Sequence, residues 1–580
     1  MRKLLKKLLR SKTNSTSEST TAASPQNPTG ENNSSNSQQD YHHCPDPSFA
    51  KEIPLSREQA AEFVRSCYGN KFLAYILNCQ STEAEVSEAL INDEQLSDLF
   101  WIATLDATST LSGNPGPNVF RFGMKHGMSV TLANRFRIER GGSVDLFECP
   151  ADQLLENVAN SLSALLPMLL VPAKEENNPN IQSITSPFLL SALIFDELQA
   201  FRESLAQEAA IVNFFKNVDF TKEVLEPSSS FLLTLNAPTC GGMLPLLAKS
   251  ALVIDAAHRA SIHGKSFYRP REVFPFLAHS ITTFRQLLAN GSSEVPALCI
   301  LQGITCADPI DCPGGQLRPP TSFERQTILP GWLDDVLIYQ TSYQVKICSY
   351  GTPTEEDFFG TLHSIHPQEI MLEDWNRLQH DVSLTRIAIL LSTREEENWS
   401  SILYGTYIFC PVYPPLLTRS ALSNSGGLSV PASIPADATA EIGSWKAALL
   451  TASLPEVVLK RFLSAFCERP DSADAFVDLL VALEAILGPE HEVSFQVSAA
   501  IVKVIEDDPE SRGAQFKQFK KLYDLRSRIV HGDSLKAGEP EKSLLLLKSI
   551  ALKFLKRIIT NRRDILDVNP RDRVKYILLR

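Results

Sequence analysis

The stretch FKQFKKLYDLRSRIVHG, Phe516 to Gly532, decides how the C-terminal part of this chain is read. Phe516, Phe519, Leu522, Tyr523, Leu525, Ile529 and Val530 recur mostly at spacings of three and four, the pattern of a helix with one buried face. Gly532 follows at once, and glycine there is a helix stop because it accepts the left-handed conformation that a helix end needs. His531 is therefore expected in the last turn, five residues after Arg526. Residues five apart on a helix of 3.6 residues per turn differ by about 140° in direction. One helix cannot aim both groups at one point without help from the flexible arginine.

Working outward, everything beyond Trp445 reads as helix. SLPEVVLKRFLSAFCE carries Arg461. A second helix, with Asp471 or Ser472 as its cap, buries Phe476, Leu479, Leu480, Leu483, Ile486 and Leu487. A third runs from about 492 to 505 and ends before the turn EDDPESRG; the quoted helix follows, then EKSLLLLKSIALKFLKRIITNRR. Short connections between such helices predict an up-down antiparallel bundle. From Arg512 to Arg580 there are 18 Lys or Arg against 7 Asp or Glu, inside a chain of net charge -12. Basic residues beside the Arg526–His531 pair would attract RNA phosphates; the plain alternative is a solvated face of the bundle.

Three segments in order, FVDLLVALEAILG (Phe476–Gly488), EHEVSFQVSAAIVKVI (Glu490–Ile505) and LYDLRSRIVHGDS (Leu522–Ser534), resemble the Apea-like HEPN domain of prokaryotic proteins. Arg526 and His531 match that family's R-x4-H motif, and the resemblance covers roughly residues 455–560. It implies that two HEPN domains pair so that both motifs line one composite cleft. It further implies that His531 acts in general acid–base chemistry on the RNA 2′-hydroxyl and the leaving oxygen. Arg526 would stabilise the phosphorane charge with its planar fork of donors. The reaction is metal-independent RNA cleavage to a 2′,3′-cyclic phosphate and a 5′-hydroxyl, with no cofactor. The partners implied are RNA, either tRNA or mRNA, a second copy of the chain, and a phage-derived trigger in anti-phage defence. The alternative is a non-catalytic HEPN module for dimerisation and RNA or nucleotide binding. Arg528 and Tyr523 are candidates to bind phosphate or stack on a base, and Glu484 to orient Arg526 across the bundle; each also has a plain reading as a structural ion pair or core-edge residue.

At 580 residues the chain predicts about three or four units. Its 43% hydrophobic and 21% charged content are ordinary for a soluble globular protein, and -12 argues against wholesale nucleic-acid coating. Eleven scattered cysteines suggest a reducing compartment rather than a disulfide framework. No run approaches the roughly 18–20 apolar residues of a transmembrane helix, and MRKLLKKLLRSK has no apolar core of a secretory signal. The expected location is the cytoplasm.

Residues 1–48 read as a basic tail followed by a disordered low-complexity segment. The tail's Leu4, Leu5, Leu8 and Leu9 share a helical face that is an anchor or RNA-steering arm, or simply a solubilised terminus. Residues 49–417 read as a mixed α/β region, a candidate sensor or regulatory part, divisible near 270–295. In it Ser56 caps a first helix and Ser81 or Thr82 a second. NVFRFGM, SVTLANRFRIER and SVDLFEC predict a small sheet, and VPALCILQGI, DDVLIYQTSYQVKICSYG, LTRIAILLST and YGTYIFCPVY predict strands. Residues 418–444 have the composition of a linker, and 445–580 form the helical domain. The fold class expected is thus multidomain: a mixed α+β N-terminal region, then an all-α antiparallel bundle. HHCPD (His42, His43, Cys44) and Cys299, Cys306 and Cys312 lack zinc spacing. His258 and His263 on an apolar helix read as structural, and no metal site is assigned.

Overall fold

The computed structural model describes residues 55–111, 131–171, 197–214, 232–235, 241–329, 333–350, 368–392, 401–413, 415, 417–419, 432–452, 454–488 and 493–580. All belong to one unit, Ser48–Arg580. The basic tail and low-complexity segment, residues 1–48, lie outside the described residues, as does NVFRFGM.

The first helices form where their caps predict. The Ser56 hydroxyl accepts the Gln59 N–H while the Gln59 side chain returns to the Ser56 N–H, starting α1 (Arg57–Leu77). Thr82 caps α2 (Glu83–Asn92), and α3 (Leu96–Leu111) follows. Among the described residues, SVTLANRFRIER and SVDLFEC do not form the expected strands. Thr131 accepts the Asn134 N–H and starts α4 (Leu132–Glu139), with Leu132, Ala133 and Phe136 buried at helical spacing; residues 142–149 are irregular. The cap outweighed a strand-like alternation of Arg with apolar residues. α5 (Gln153–Leu165) tightens into a 3-10 turn at Leu166–Leu170, around Pro167. Next come α6 (Glu197–Gln207), α7 (Ala209–Phe214), α8 (Leu244–Ile262) and α9 (Pro270–Asn290). The expected division near 270–295 falls on α9, which packs on α8, α5 and the sheet, so no break occurs there.

The sheet runs in the order β2 (Gly241–Met243), β1 (Leu232–Leu235), β7 (Val336–Tyr350), β3 (Ser292–Gln302), β8 (Ile402–Ile408), β9 (Leu417–Arg419). The hairpin of β5 (Ile310–Cys312) and β6 (Gly315–Arg318) adds to β7 beside β1, and every one of these pairings is antiparallel. β3 and β7 pair over the whole of β3, Ser292 opposite Lys346 and Gln302 opposite Val336. Their central runs, residues 297–301 and 336–339, are buried at every position, while Tyr343, Val345 and Ile347 alternate with less buried neighbours. LTRIAILLST is not a strand: it completes α11 (Gln368–Ser392), after the short α10 (Ser322–Thr327). A run buried all round does not distinguish strand from helix by periodicity, and Leu384, Ile387, Ala388, Ile389, Leu390 and Leu391 are all buried.

The expected linker is also structured in part. β10 (Ala432–Ile434) pairs in parallel with β4 (Ile304–Cys306), and α12 (Thr439–Ala452) begins within it; residues 420–431 lie outside the described residues. α13 (Glu456–Leu463) passes into a π turn, Ser464–Glu468, clamped by buried Asp478 of α14 (Ser472–Leu487). Burial alone would raise the Asp478 carboxyl, but hydrogen bonds from Ser464, Arg461 and Arg469 hold it below the usual range. α15 (Val493–Ile505), α16 (Pro509–His531), α17 (Glu539–Thr560), α18 (Asp564–Asp567) and α19 (Pro570–Leu579) complete the chain, α14 packing on α17 and α19 and α15 on α16, α17 and α19. Gly488 ends α14 at φ 58°, where a Cβ would lie 2.7 Å from the Pro570 backbone, so only glycine fits.

A buried ionic network lies on each face of β7. On one, the fully buried Lys446 of α12 meets Asp381 Oδ1 of α11 at 2.9 Å and donates to the Tyr339 oxygen, while the Tyr339 hydroxyl donates to Asp381 Oδ2. Burial first, and then the Asp381 charge, push the Tyr339 phenol far above its ordinary value. On the other, Arg318 grips Glu324 bidentately and donates to Gln340 Oε1 at 2.7 Å; His258, stacked on Phe409, lies 2.8 Å from Glu324. Burial would raise the Glu324 carboxyl, yet hydrogen bonds from Arg318 and His258 and their charges hold it far below the usual carboxylate range.

Removing one partner of a buried pair leaves the other uncompensated, so Lys446→Ala should cost about 3–5 kcal/mol in denaturant unfolding, far more than Lys460→Ala on the exposed face of α13. The lowered Glu324 carboxyl contributes stability that is fully present above its unfolded value and lost as pH falls through the carboxylate range. The stability gap between wild type and Glu324→Gln should therefore shrink as pH is lowered through that range; a gap independent of pH would contradict this account.

Candidate functional site

α16 starts at Asp508, whose carboxylate accepts the Glu510 and Ser511 N–H groups, with Pro509 at the first helical position. It ends as the sequence predicts. Gly532 is left-handed at φ 74°, its N–H donates to Ile529 O at 3.1 Å, and the Asp533 N–H donates to Arg528 O at 2.9 Å. His531 is the last residue of this helix and is exposed.

Phe519, Leu522, Tyr523 and Leu525 are buried as expected, but Val530 is 61% exposed. Nothing in the last turn is buried: Ser527, Val530 and His531 are exposed and Arg528 and Ile529 half-buried. Arg526 points inward, its Nη2 3.5 Å from Glu484 Oε2 of α14, the cross-helix pairing expected from the sequence. That contact is long, and Arg526 Nε is buried with no hydrogen-bond partner, so the guanidinium has donors unspent.

Tyr523 is only 6% exposed, which removes its ring from base stacking and corrects that expectation. Burial first, and then the nearby charge of Glu484, push its phenol well above the ordinary value. Arg528 is also engaged: it forms a two-point pair with Glu539, the first residue of α17, which also accepts the Lys536 N–H at 3.2 Å. These hydrogen bonds raise Arg528 and lower Glu539. The sequence reading missed this partner; an acidic residue in the first turn of the next helix, just past the Gly532 stop, was the available signal.

The structure therefore brings Glu484, Tyr523 and Arg526 together and leaves His531 on another side of the same helix. No hydrogen bond or ion pair joins Arg526 to His531. The two motif residues do not form one site within a single chain.

Elsewhere, His258 is sealed in the core on Glu324, and the exposed His263 bonds to the Arg259 carbonyl at 2.8 Å, so both have structural roles. Cys299, Cys306 and Cys312 are buried thiols pushed up by burial to about 12, 11 and 11, the opposite of a reactive thiolate. HHCPD lies outside the described residues. Among the described residues no group of three His, Cys, Asp or Glu is placed to hold a metal, and no helix is long and apolar enough to cross a membrane. Comparison with protein-family models, curated proteins and solved structures yields no match to the chain.

Glu484→Ala strips the partner from a half-buried arginine and should cost on the order of 1–3 kcal/mol in thermal or denaturant unfolding. Arg528→Ala, whose ion pair is solvated, should leave stability almost unchanged. Equal effects of the two substitutions would place Arg526 and Arg528 in the same kind of environment, against this description.

Proposed function

We propose that the chain is an endoribonuclease of the HEPN type whose active site is completed by a second copy. The observation that carries this reading is the state of the two motif residues. His531 is exposed at the end of α16, and Arg526 keeps a buried, unpaired Nε donor and only one long ion pair. Their separation of about 140° around the helix asks for a second motif opposite the first, which is the composite cleft that the family resemblance implies.

In that cleft one imidazole takes the proton of the 2′-hydroxyl. The 2′-oxygen attacks phosphorus, the bond to the 5′-oxygen breaks, and a second imidazole, in protonated form, supplies the proton to that leaving oxygen. Arg526 donates to the phosphorane oxygens, where a fixed planar fork gains most as negative charge builds. The products are a 2′,3′-cyclic phosphate and a 5′-hydroxyl. The cytoplasm is the proposed location, and the large region before α12 is the proposed sensor for a phage-derived trigger, a role supported by the resemblance alone.

The placement of Arg526 against Glu484 and Tyr523 favours one other reading, a non-catalytic HEPN module that pairs chains and binds RNA or nucleotide. Incubation of the purified protein with total RNA and with tRNA in EDTA separates the two. The nuclease reading expects cyclic-phosphate ends, and His531→Ala should slow their appearance by roughly 10²–10⁴-fold. Absence of cleavage, or cleavage unchanged in His531→Ala, would falsify it.

A further inference from the structure

Several basic residues of the C-terminal segment are spent on partners in the folded chain. Arg528, Arg557 and Arg562 are held by Glu539, Asp507 and Asp564, and Arg573 is spent on the Ile486, Leu566 and Val568 carbonyls. By contrast Lys517, Lys520 and Lys521 of α16 are exposed, and none makes an ion pair among the described residues. They lie on the same side as His531. At 100° per residue, Phe516, Lys520, Asp524, Lys517 and Lys521 all fall within about 80° of the direction of His531, whereas Arg526 is about 140° away. Between Phe516 and His531, Asp524 is the acidic residue of α16 on this face.

At the far end of the face stands an aromatic pair. Phe495 of α15 is 54% exposed, and its ring packs edge-on against that of Phe516, with centroids 5.5 Å apart at 75°. Water-exposed phenylalanine is costly unless something covers it, and an unpaired base stacks on such a ring with little regard to sequence. Fifteen residues separate Phe516 from His531, about 22 Å at 1.5 Å per residue.

We propose that single-stranded RNA lies along α16, one unpaired base stacked on Phe495 and Phe516 and its phosphates on Lys517, Lys520 and Lys521, on its way to His531. This rests on the reading of His531 as the reacting centre and adds the path of the substrate. The length of the path spans roughly six nucleotides at about 3.4 Å per stacked nucleotide, fewer if the strand is extended. A duplex cannot offer a base to the aromatic pair, so the strand must be unpaired there.

The test is fluorescence anisotropy with a labelled twelve-nucleotide RNA, in the full-length His531→Ala background so that the probe survives. Replacing Lys517, Lys520 and Lys521 together by Gln should weaken binding at least tenfold and lower the slope of log affinity against log salt by about 2, since each phosphate contact to a single strand is worth about 0.7. Phe495→Ala should weaken binding on the order of tenfold, Phe495→Trp should keep it, and the same sequence as duplex should bind at least tenfold more weakly. Unchanged affinity and slope in the Gln variant, or equal binding of the duplex, would overturn the path. Should wild type bind as described yet leave RNA intact, the cleavage reading falls and the path stands; should it cut RNA while the Gln variant binds and cuts equally well, only the path falls.

Discussion

A lysine with no access to water has to be paired, because an isolated buried charge costs far more than the fold can supply. Lys446 is one such lysine, and its partners come from two other elements: Asp381 from α11 and Tyr339 from β7. The first helix of the C-terminal region is thereby held to the centre of the sheet. Arg386 adds a second tie from the same helix, with two donors on the Ser401 carbonyl and a third 2.9 Å from Glu468 in the π turn. The helices that follow α12 are joined to the sheet by buried charge as well as by apolar contact.

The opposite face of β7 repeats the arrangement with other residues. Successive side chains of a strand point to opposite faces, so Tyr339 serves the lysine network while its neighbour Gln340 accepts from Arg318 in the Glu324 network. A one-residue slip of β7 against β3 would exchange the two and strand both networks. The long pairing of β3 with β7 and the two networks thus specify the same register.

The motif helix obeys different physics. Its buried face is set by Phe519, Leu522, Tyr523 and Leu525, and its end by the left-handed Gly532. Once the face is fixed, helical geometry sends Arg526 inward and His531 outward. The tertiary neighbours then divide its polar residues. Arg528 is neutralised by Glu539, Arg526 is held loosely by Glu484, and the lysines beside His531 are left facing water. A net positive segment in sequence thus leaves, in the folded chain, three exposed lysines on the His531 side of one helix.

Much of the helical part was legible because its signals are local. Ser56, Thr82 and Asp471 cap helices through their own side chains, and Gly532 stops one through its own backbone freedom. The direction of Arg526 relative to His531 follows from the count of residues between them. The failures were of the opposite kind. Thr131 and the residues after it formed α4 instead of a strand because the Thr131 cap outweighed a strand-like alternation, and Leu384–Leu391 ended α11 because burial on all sides erases the periodicity that separates the two structures. Which charges meet was equally beyond local reading: Lys446 finds Tyr339 across 107 residues, and Arg318 joins Glu324 to His258. Sequence by itself therefore determined where helices start and stop and how the motif residues are turned about their axis, since both depend on neighbours along the chain. Only the tertiary structure decided which of the basic residues remain free and which helix is locked to the sheet, since desolvation and pairing depend on groups that meet only in the fold.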